Sequence, residues 1–207
     1  MTAKYDYERL FQTLIAAIAA EGSITARMHT VIAECARQIP HADWEHFSGI
    51  DFETDESDTE GWLAAALPAT GAEPKRAGLW FGLCEMVNDD DSISPYMYVG
   101  VSPSFAVDSL DWARQREEIE MANYLDSVVL PQIHAGAYGR SDGLGHDAGY
   151  PLVLAYSAIV VHSLLRDAPL PAPLQTVKGA TIGYDSGDWL LLGRFKDGKY
   201  EPDVNAG

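Results

Sequence analysis

The chain has 207 residues, 47% of them hydrophobic, and a formal net charge of −17, a composition typical of a globular domain and unlike that of a disordered chain. The excess of carboxylates argues against binding to nucleic acids or to anionic membranes, because phosphate groups are held by Lys and Arg. No stretch approaches the roughly 18 consecutive apolar residues of a membrane span, and the polar start of the chain does not resemble a signal peptide, so we expect a cytoplasmic protein.

Two amphipathic helices are predicted at the start of the chain. Residues 5–20 repeat large apolar side chains at about every fourth position, which places them on one helical face. Ser23 is suited to cap a second helix that ends before Pro40. The short loop between the two segments predicts an antiparallel helical hairpin over residues 1–40.

An acidic connector is predicted over residues 41–75. Its first twenty residues hold eight carboxylates, several aromatic side chains and no Lys or Arg. From residue 39 to residue 112, fifteen carboxylates face only two basic residues, which accounts for −13 of the total charge. Such a segment is either a binding face for a basic protein, with aromatic hot spots, or a surface that only keeps the protein soluble. On the first interpretation, the predicted binding residues are Trp44, Phe52, Asp55, Glu56, Asp58, Glu60, Asp89, Asp90 and Asp91.

The middle of the chain is predicted to hold a β-hairpin and a long helix. Residues 77–87 and 96–101 are rich in apolar, aromatic and β-branched side chains and are separated by an acidic loop, which indicates two paired strands. Apolar residues at helical spacing then predict the longest helix of the chain, over residues 110–133.

A glycine-rich loop is predicted over residues 136–149, followed by a buried helix over residues 151–166 that is apolar on nearly all sides. The loop gives the best catalytic alternative, a small-molecule hydrolase, because glycines allow a ligand close to the backbone and His and Asp can act as acid and base. The residues of this alternative are His146, Asp147, His134 and Asp142. The competing interpretation is a structural connector in which Asp147 caps the next helix.

A three-stranded antiparallel meander is predicted over residues 176–201. Its turns, at residues 185–188 and 196–199, each contain the Gly that tight reversals require, and the apolar run from Trp189 to Leu192 is typical of a strand covered on both faces. Strands grouped in hairpins and separated by helices predict an α+β fold with an antiparallel sheet. We treat residues 1–207 as one domain, with the main sheet and helices in residues 76–207.

Two patterns in the sequence resemble metal sites, but neither has the spacing or residues that a site requires. We predict no metal site and no cofactor. His41 and His46 are five residues apart and would point about 140° apart on a helix. The acidic run from Asp51 lacks the Gly and the final Glu of a calcium loop. Cys35 and Cys84 lie among apolar residues and are predicted to be reduced core thiols.

Three functional hypotheses follow. The first is a non-catalytic acidic protein that binds a basic protein. Its resemblance to immunity proteins and nucleic-acid mimics is in charge and size alone. The second is the hydrolase that uses the glycine-rich loop. The third is an accessory protein that acts by oligomerisation. The sequence does not determine the oligomeric state.

Overall fold

The computed structural model describes residues 5–66, 76–88, 91–116, 120, 123–167 and 176–206, without the side chains of residues 56 and 57. This part of the chain contains six α-helices, five β-strands and a short 3-10 helix at Ala113–Gln115. The α-helices are α1 (Tyr7–Ala19), α2 (Ile24–Gln38), α3 (Trp44–Ser48), α4 (Glu56–Ala66), α5 (Val129–Tyr138) and α6 (His146–Asp167). The β-strands are β1 (Gly78–Val87), β2 (Ile93–Ser102), β3 (Gly179–Tyr184), β4 (Trp189–Lys196) and β5 (Lys199–Ala206).

The five strands form one sheet in the order β2-β1-β3-β4-β5, which confirms the predicted α+β fold. β3, β4 and β5 form the predicted antiparallel meander. The last turn has the predicted Asp-Gly chemistry, because Asp197 and Gly198 both adopt positive φ angles, 52° and 74°. The sheet is mixed, since β1 pairs in parallel with β3. The long connection through several helices makes a parallel pair possible.

The chain folds into two compact units, each of which is built from three separate stretches of the sequence. Unit 1 comprises residues 1–55, 85–95 and 127–160, and unit 2 comprises residues 56–84, 96–126 and 161–207. Unit 1 is mainly helical, with α1 packed on α2, α2 on α3 and α3 on α5. Unit 2 holds most of the sheet.

The prediction of a single helix over residues 110–133 is wrong. The described residues show instead a 3-10 turn, then a segment beside β2, and then α5. In that segment Tyr124 bridges to Tyr98, and the amide of Leu125 donates to the carbonyl oxygen of Met97 at 2.9 Å. The backbone there is hydrogen-bonded to a strand, and such pairing competes with the helix that the local apolar spacing favours.

The predicted glycine-rich loop is much shorter than residues 136–149. Helix α5 extends to Tyr138 and α6 begins at His146, so α6 includes Pro151 as an internal residue. By length and composition α6 could cross a membrane, but 89% of its most apolar stretch is buried within the protein. This burial is typical of the core helix of a water-soluble domain, and it agrees with the prediction of a buried helix.

In unit 1, charged side chains form hydrogen bonds with backbone groups at the termini of two helices. The buried guanidinium of Arg27 donates to the carbonyl oxygens of Ala17, at 2.9 Å, and of Ile18, at the end of α1. The carboxylate of Glu53 accepts a hydrogen bond from the amide of Thr25 at 2.8 Å, in the first turn of α2. Both contacts satisfy backbone groups that a helix leaves without an internal partner, and both have the sign that the helix dipole favours.

Aromatic rings lying on glycines characterise unit 2. In β1 and β3 the glycines are four residues apart and in register, so Gly78 pairs with Gly179 and Gly82 with Gly183. A Cβ added at Gly82 would lie 2.1 Å from the ring of Tyr98. One added at Gly179 would lie 2.0 Å from Phe105. The glycines therefore form a floor on which rings pack against the backbone.

Candidate functional site

The aromatic side chains of the acidic connector belong to the core. Trp44, Phe47 and Phe52 are buried, and the indole nitrogen of Trp44 donates to the carbonyl oxygen of Ile39 at 2.7 Å. The ring centroids of Phe52 and Tyr156 are 5.9 Å apart. The structure therefore does not support the prediction that Trp44 and Phe52 contact a partner, because an apolar ring is more stable inside the protein than in water.

The carboxylates predicted to bind a partner fall into three groups. Asp55 is buried and serves a structural role that is described below. Asp58 and Glu60 are exposed on α4, and Asp91 is exposed at the turn between β1 and β2 with a positive φ of 65°. The side chain of Glu56 and the whole of Asp89 and Asp90 lie outside the described residues. Asp91 belongs to unit 1, whereas α4 with Asp58 and Glu60 belongs to unit 2.

Asp55 is a buried carboxylate of unit 1 that accepts hydrogen bonds from two hydroxyl groups and two backbone amides. It is 2% exposed and accepts hydrogen bonds from the hydroxyl groups of Ser127 at 2.5 Å and Tyr156 at 2.8 Å. It also accepts from the amides of Val128 at 2.9 Å and Val129 at 3.4 Å, at the start of α5. Burial, followed by the charge of Asp55, raises the pKa of Tyr156. The hydroxyl therefore stays protonated and donates to the carboxylate.

The four residues of the catalytic alternative do not form one hydrogen-bonded group. His146 is exposed at the start of α6, with its ring centroid 5.2 Å from that of Tyr150. His134 is half-buried beside Tyr138, with ring centroids 4.7 Å apart. Asp142 is exposed and accepts from Arg140 at 3.0 Å. Asp147 follows His146 on the helix, so their side chains point about 100° apart, which does not suit an acid and base acting on one substrate.

The described residues show no candidate metal centre, and the groove found among them is open to solvent. Among them no group of three or more His, Cys, Asp or Glu side chains is arranged to hold an ion. A groove with a volume of about 680 Å³ runs along α1 and α2 and is open to solvent. Its lining is mostly polar and includes Asp6, Glu8 and Thr30. Ligand sites for small molecules are usually more enclosed and more apolar.

A cluster of tyrosines surrounds the first turn of α6 and was not predicted. Pro151 has no backbone N–H, so the carbonyl oxygen of Asp147 lacks its usual helical donor. The hydroxyl of Tyr5 supplies the missing hydrogen bond at 2.6 Å. Tyr138 lies on the same turn, because a Cβ added at Gly149 would be 2.7 Å from its ring. The predicted helix began at Pro151, where a missing N–H leaves no carbonyl group without a partner, so the prediction gave no signal for this contact.

Unit 2 contains a second polar group of side chains, centred on Tyr98. The hydroxyl of Tyr98 donates to Asp185 at 2.6 Å and accepts from the indole nitrogen of Trp80 at 3.2 Å. The guanidinium of Arg116 lies 5.6 Å from the centroid of the Tyr98 ring. Burial, and then the hydrogen bond to Asp185, raise the pKa of Tyr98. The phenol is therefore protonated at neutral pH, and it serves as a structural donor rather than a base.

The two cysteines are free thiols, as predicted. Burial raises the pKa of Cys35 to about 11, and burial together with the charge of Asp185 raises the pKa of Cys84. Cys84 is only half-buried, so it is less enclosed than predicted. Both thiols are protonated at neutral pH, and the thiol is the unreactive form.

Negative charge is concentrated in unit 1. Its residues include fifteen carboxylates and five basic side chains, a formal charge of −10, whereas unit 2 has sixteen and nine, a charge of −7. The four arginines of unit 1 are all engaged within it. Arg9 and Arg37 contact Glu34 at 2.8 and 2.6 Å, and Arg140 contacts Asp43 at 3.2 Å. The fourth is the buried Arg27.

Comparison of the chain with family models, with curated proteins and with solved structures gives no match.

Proposed function

We propose that this protein is a non-catalytic acidic interaction protein that binds a basic, Lys- and Arg-rich polypeptide through unit 1, in the manner of an immunity or inhibitor protein. The observation that carries this proposal is the charge of unit 1, where fifteen carboxylates face five basic residues and every arginine is already engaged internally.

An uncompensated field of this kind has a direct consequence for binding. Carboxylates such as Glu8, Glu45 and Asp51 are exposed on unit 1, so they attract cationic groups and repel anionic ones. Association with a basic partner is accelerated, and the effect weakens as salt screens the charges. The same field opposes binding to nucleic acid and to anionic membranes.

The alternative, a hydrolase, has less support. His146 and Asp147 diverge on α6, and among the described residues no hydrogen bond joins their side chains. A location in the cytoplasm is part of the proposal, because the two cysteines are free and reduced thiols are typical of that compartment.

The proposal is tested by measuring the affinity of the purified protein for a 20-residue Lys/Arg-rich peptide by fluorescence anisotropy, at roughly 0.05 M and 0.3 M salt. We expect binding that weakens by about tenfold or more between the two conditions. The control is an unrelated acidic protein of equal net charge. If the peptide bound the control protein with equal affinity, the charge would serve only for solubility, and the proposal would be wrong. His146→Ala should leave the affinity unchanged.

A further inference from the structure

Among the described residues, the exposed large apolar side chains are concentrated on unit 1, the more acidic unit. Among the described residues, six large hydrophobic side chains are exposed, and five of them belong to unit 1. These five are Tyr7, Val87, Ile93, Val128 and Tyr138. Single exposed apolar residues are common, but neighbouring ones in an otherwise charged surface indicate a contact for another molecule.

Both exposed tyrosines lie near the first turn of α6. Tyr138 is 42% exposed, and its ring rests on the backbone at Gly149. Tyr7 is 50% exposed, and its ring centroid is 5.9 Å from that of Tyr5, whose hydroxyl donates to the carbonyl oxygen of Asp147. The first turn of α6 therefore connects the two exposed rings.

A second carboxylate and two aliphatic residues extend this region. Residues 85–95 belong to the same compact unit as Tyr138 and Asp147. In agreement with this, the charges of Glu85 and Asp147 contribute, after burial, to the raised pKa of Tyr138. Val87 is two residues after Glu85, so both side chains lie on one face of β1. Val87 and Ile93 are 69% and 48% exposed and flank the hydrogen bond from the Asn88 amide to the Ser92 carbonyl oxygen at 2.8 Å.

We propose that Tyr7, Glu85, Val87, Ile93, Tyr138 and Asp147, the tyrosine–hairpin surface, form the docking surface for the basic polypeptide. This inference rests on the function proposed above and replaces the acidic connector as the contact region. Lys and Arg side chains of the partner lie over the rings of Tyr7 and Tyr138, where cation–π attraction and the two carboxylates act together. Apolar side chains of the partner cover Val87 and Ile93.

Charge complementarity selects this occupant over the others that an apolar surface could take. A second copy of the chain would bring another acidic unit against Glu85 and Asp147, and like charges oppose that contact. A membrane of anionic lipids is repelled for the same reason. The nearby arginines do not neutralise the surface, because Arg9 is paired with Glu34 and Arg140 with Asp43 and Asp142.

The test distinguishes the contribution of the tyrosine–hairpin surface from that of the overall charge. It compares two double variants that keep the net charge with one double variant that changes it. The probes are two 20-residue peptides of equal positive charge, one with Leu and one with Gly between its Lys and Arg residues. We expect wild type to bind the Leu peptide at least ten times more tightly. We expect Tyr7→Ala with Tyr138→Ala to weaken binding of the Leu peptide at least tenfold at unchanged salt dependence. Val87→Ser with Ile93→Ser should abolish the preference for Leu over Gly.

The matched control removes two exposed carboxylates of unit 1 that are not part of the tyrosine–hairpin surface, Glu45→Gln with Asp51→Asn. It should weaken binding of both peptides less than threefold and reduce the salt dependence. If the tyrosine variant binds like wild type while wild type still binds in a salt-dependent way, the surface is wrong and the proposed function stands. If wild type binds neither peptide, the proposed function fails first.

Hydrogen exchange on the unmodified protein covers the case in which the tyrosine variant does not fold. The Leu peptide should slow exchange at the described hairpin residues 85–88 and 91–93 and at the first turn of α6. Absence of that protection overturns the proposal. So does protection by vesicles of neutral phosphatidylcholine in place of the peptide. A dimer in sedimentation that Val87→Ser with Ile93→Ser disperses would also overturn it, since a second copy would then be the occupant.

Discussion

The two units differ in the contacts that hold their regular elements. In unit 1, charged side chains bind backbone groups at helix termini, namely Arg27 at the last turn of α1, Glu53 at the first turn of α2 and Asp55 at the start of α5. In unit 2, aromatic rings lie on the glycines of β1 and β3. A charged side chain can therefore be structural where backbone groups need a partner, and an aromatic ring needs a floor without side chains.

The same contrast applies to their surfaces. Unit 1 has the larger negative charge and five of the six exposed large hydrophobic side chains of the described chain, whereas most aromatic rings of unit 2 pack on one another. This combination is the basis of our proposal that unit 1 is the binding unit. The following changes test how each unit is held together.

Removal of the Asp55 carboxylate should have the largest effect. In Asp55→Ala, two hydroxyl groups and two amides lose their common acceptor inside unit 1. We expect the free energy of unfolding to fall by about 4 kcal/mol, because buried donors without acceptors are costly. Urea unfolding monitored by circular dichroism measures the change.

The control for Asp55 is Glu60→Ala, which removes an exposed carboxylate from the same acidic segment. It should change the free energy of unfolding by less than about 0.5 kcal/mol. A similar loss in both variants would show that the acidic segment contributes through its overall charge rather than through a buried cap.

Loss of the glycine floor should have the next largest effect. The new methyl group of Gly82→Ala would lie 2.1 Å from Tyr98 Cζ, so the ring and its neighbours must shift. We expect a loss of about 2 kcal/mol in the free energy of unfolding.

Gly61→Ala makes the same chemical change within unit 2, in the middle of α4, where an added Cβ would have no contact within 4 Å beyond the local helix backbone. It should stabilise the protein by about 0.5 kcal/mol, because Ala favours the helix over Gly. If both alanine variants were stabilised, the rings would not depend on the glycine floor.

The hydroxyl of Tyr98 should contribute less than the floor beneath it. Tyr98→Phe removes the donor to Asp185 and the acceptor for the Trp80 indole, at a cost of about 1 kcal/mol. Thermal unfolding would show a correspondingly lower midpoint. Tyr124→Phe removes a hydroxyl from a neighbouring ring, 5.5 Å away between centroids, and should leave the midpoint nearly unchanged. Equal shifts would contradict a specific role for the Tyr98 hydrogen bonds.

The smallest predicted effect depends on pH. Hydrogen bonds from Arg37, and from Gln38 and Arg9, lower the pKa of Glu34 from 4.5 to about 2, against the opposing effect of burial. The lower pKa in the folded state means that the contribution of Glu34 is complete above pH 4.5 and is lost as the pH falls towards 2. Because both arginines are largely exposed, we expect only about 1 kcal/mol.

The measurement compares the free energies of unfolding of wild type and Glu34→Gln. The difference should be about 1 kcal/mol at pH 6 and smaller at pH 3.5. Glu45→Gln, an exposed carboxylate of α3, should show a difference near zero at both values. A difference for Glu34 that grows as the pH falls would contradict the assigned direction of its pKa shift.

Local chemistry was enough to predict the regular parts of the fold. The stripes of α1 and α2, the turn at Asp197 and Gly198, and the buried run from Trp189 to Leu192 are all recorded in the order of residues. Each depends on neighbours within a few positions, so one sequence contains the whole signal.

The candidate sites could not be predicted in the same way. The acidic connector and the aromatic residues within it suggested one binding face, yet Trp44 and Phe52 are in the core and Asp55 caps a helix that begins 74 residues later. The tyrosine–hairpin surface joins positions as distant as Tyr7 and Asp147. The residues next to a carboxylate or an aromatic ring in the sequence do not determine which distant group will donate a hydrogen bond to it or pack against it.

By itself, the sequence determined the fold class, the meander, the helical hairpin and the concentration of negative charge, because periodicity, turn residues and composition act locally or additively. The tertiary structure alone decided that β1 and β3 run in parallel, that residues 110–133 are not one helix, and which carboxylates are buried. Those outcomes depend on hydrogen bonds and packing between residues far apart in the chain, and these contacts override local preference when the two conflict.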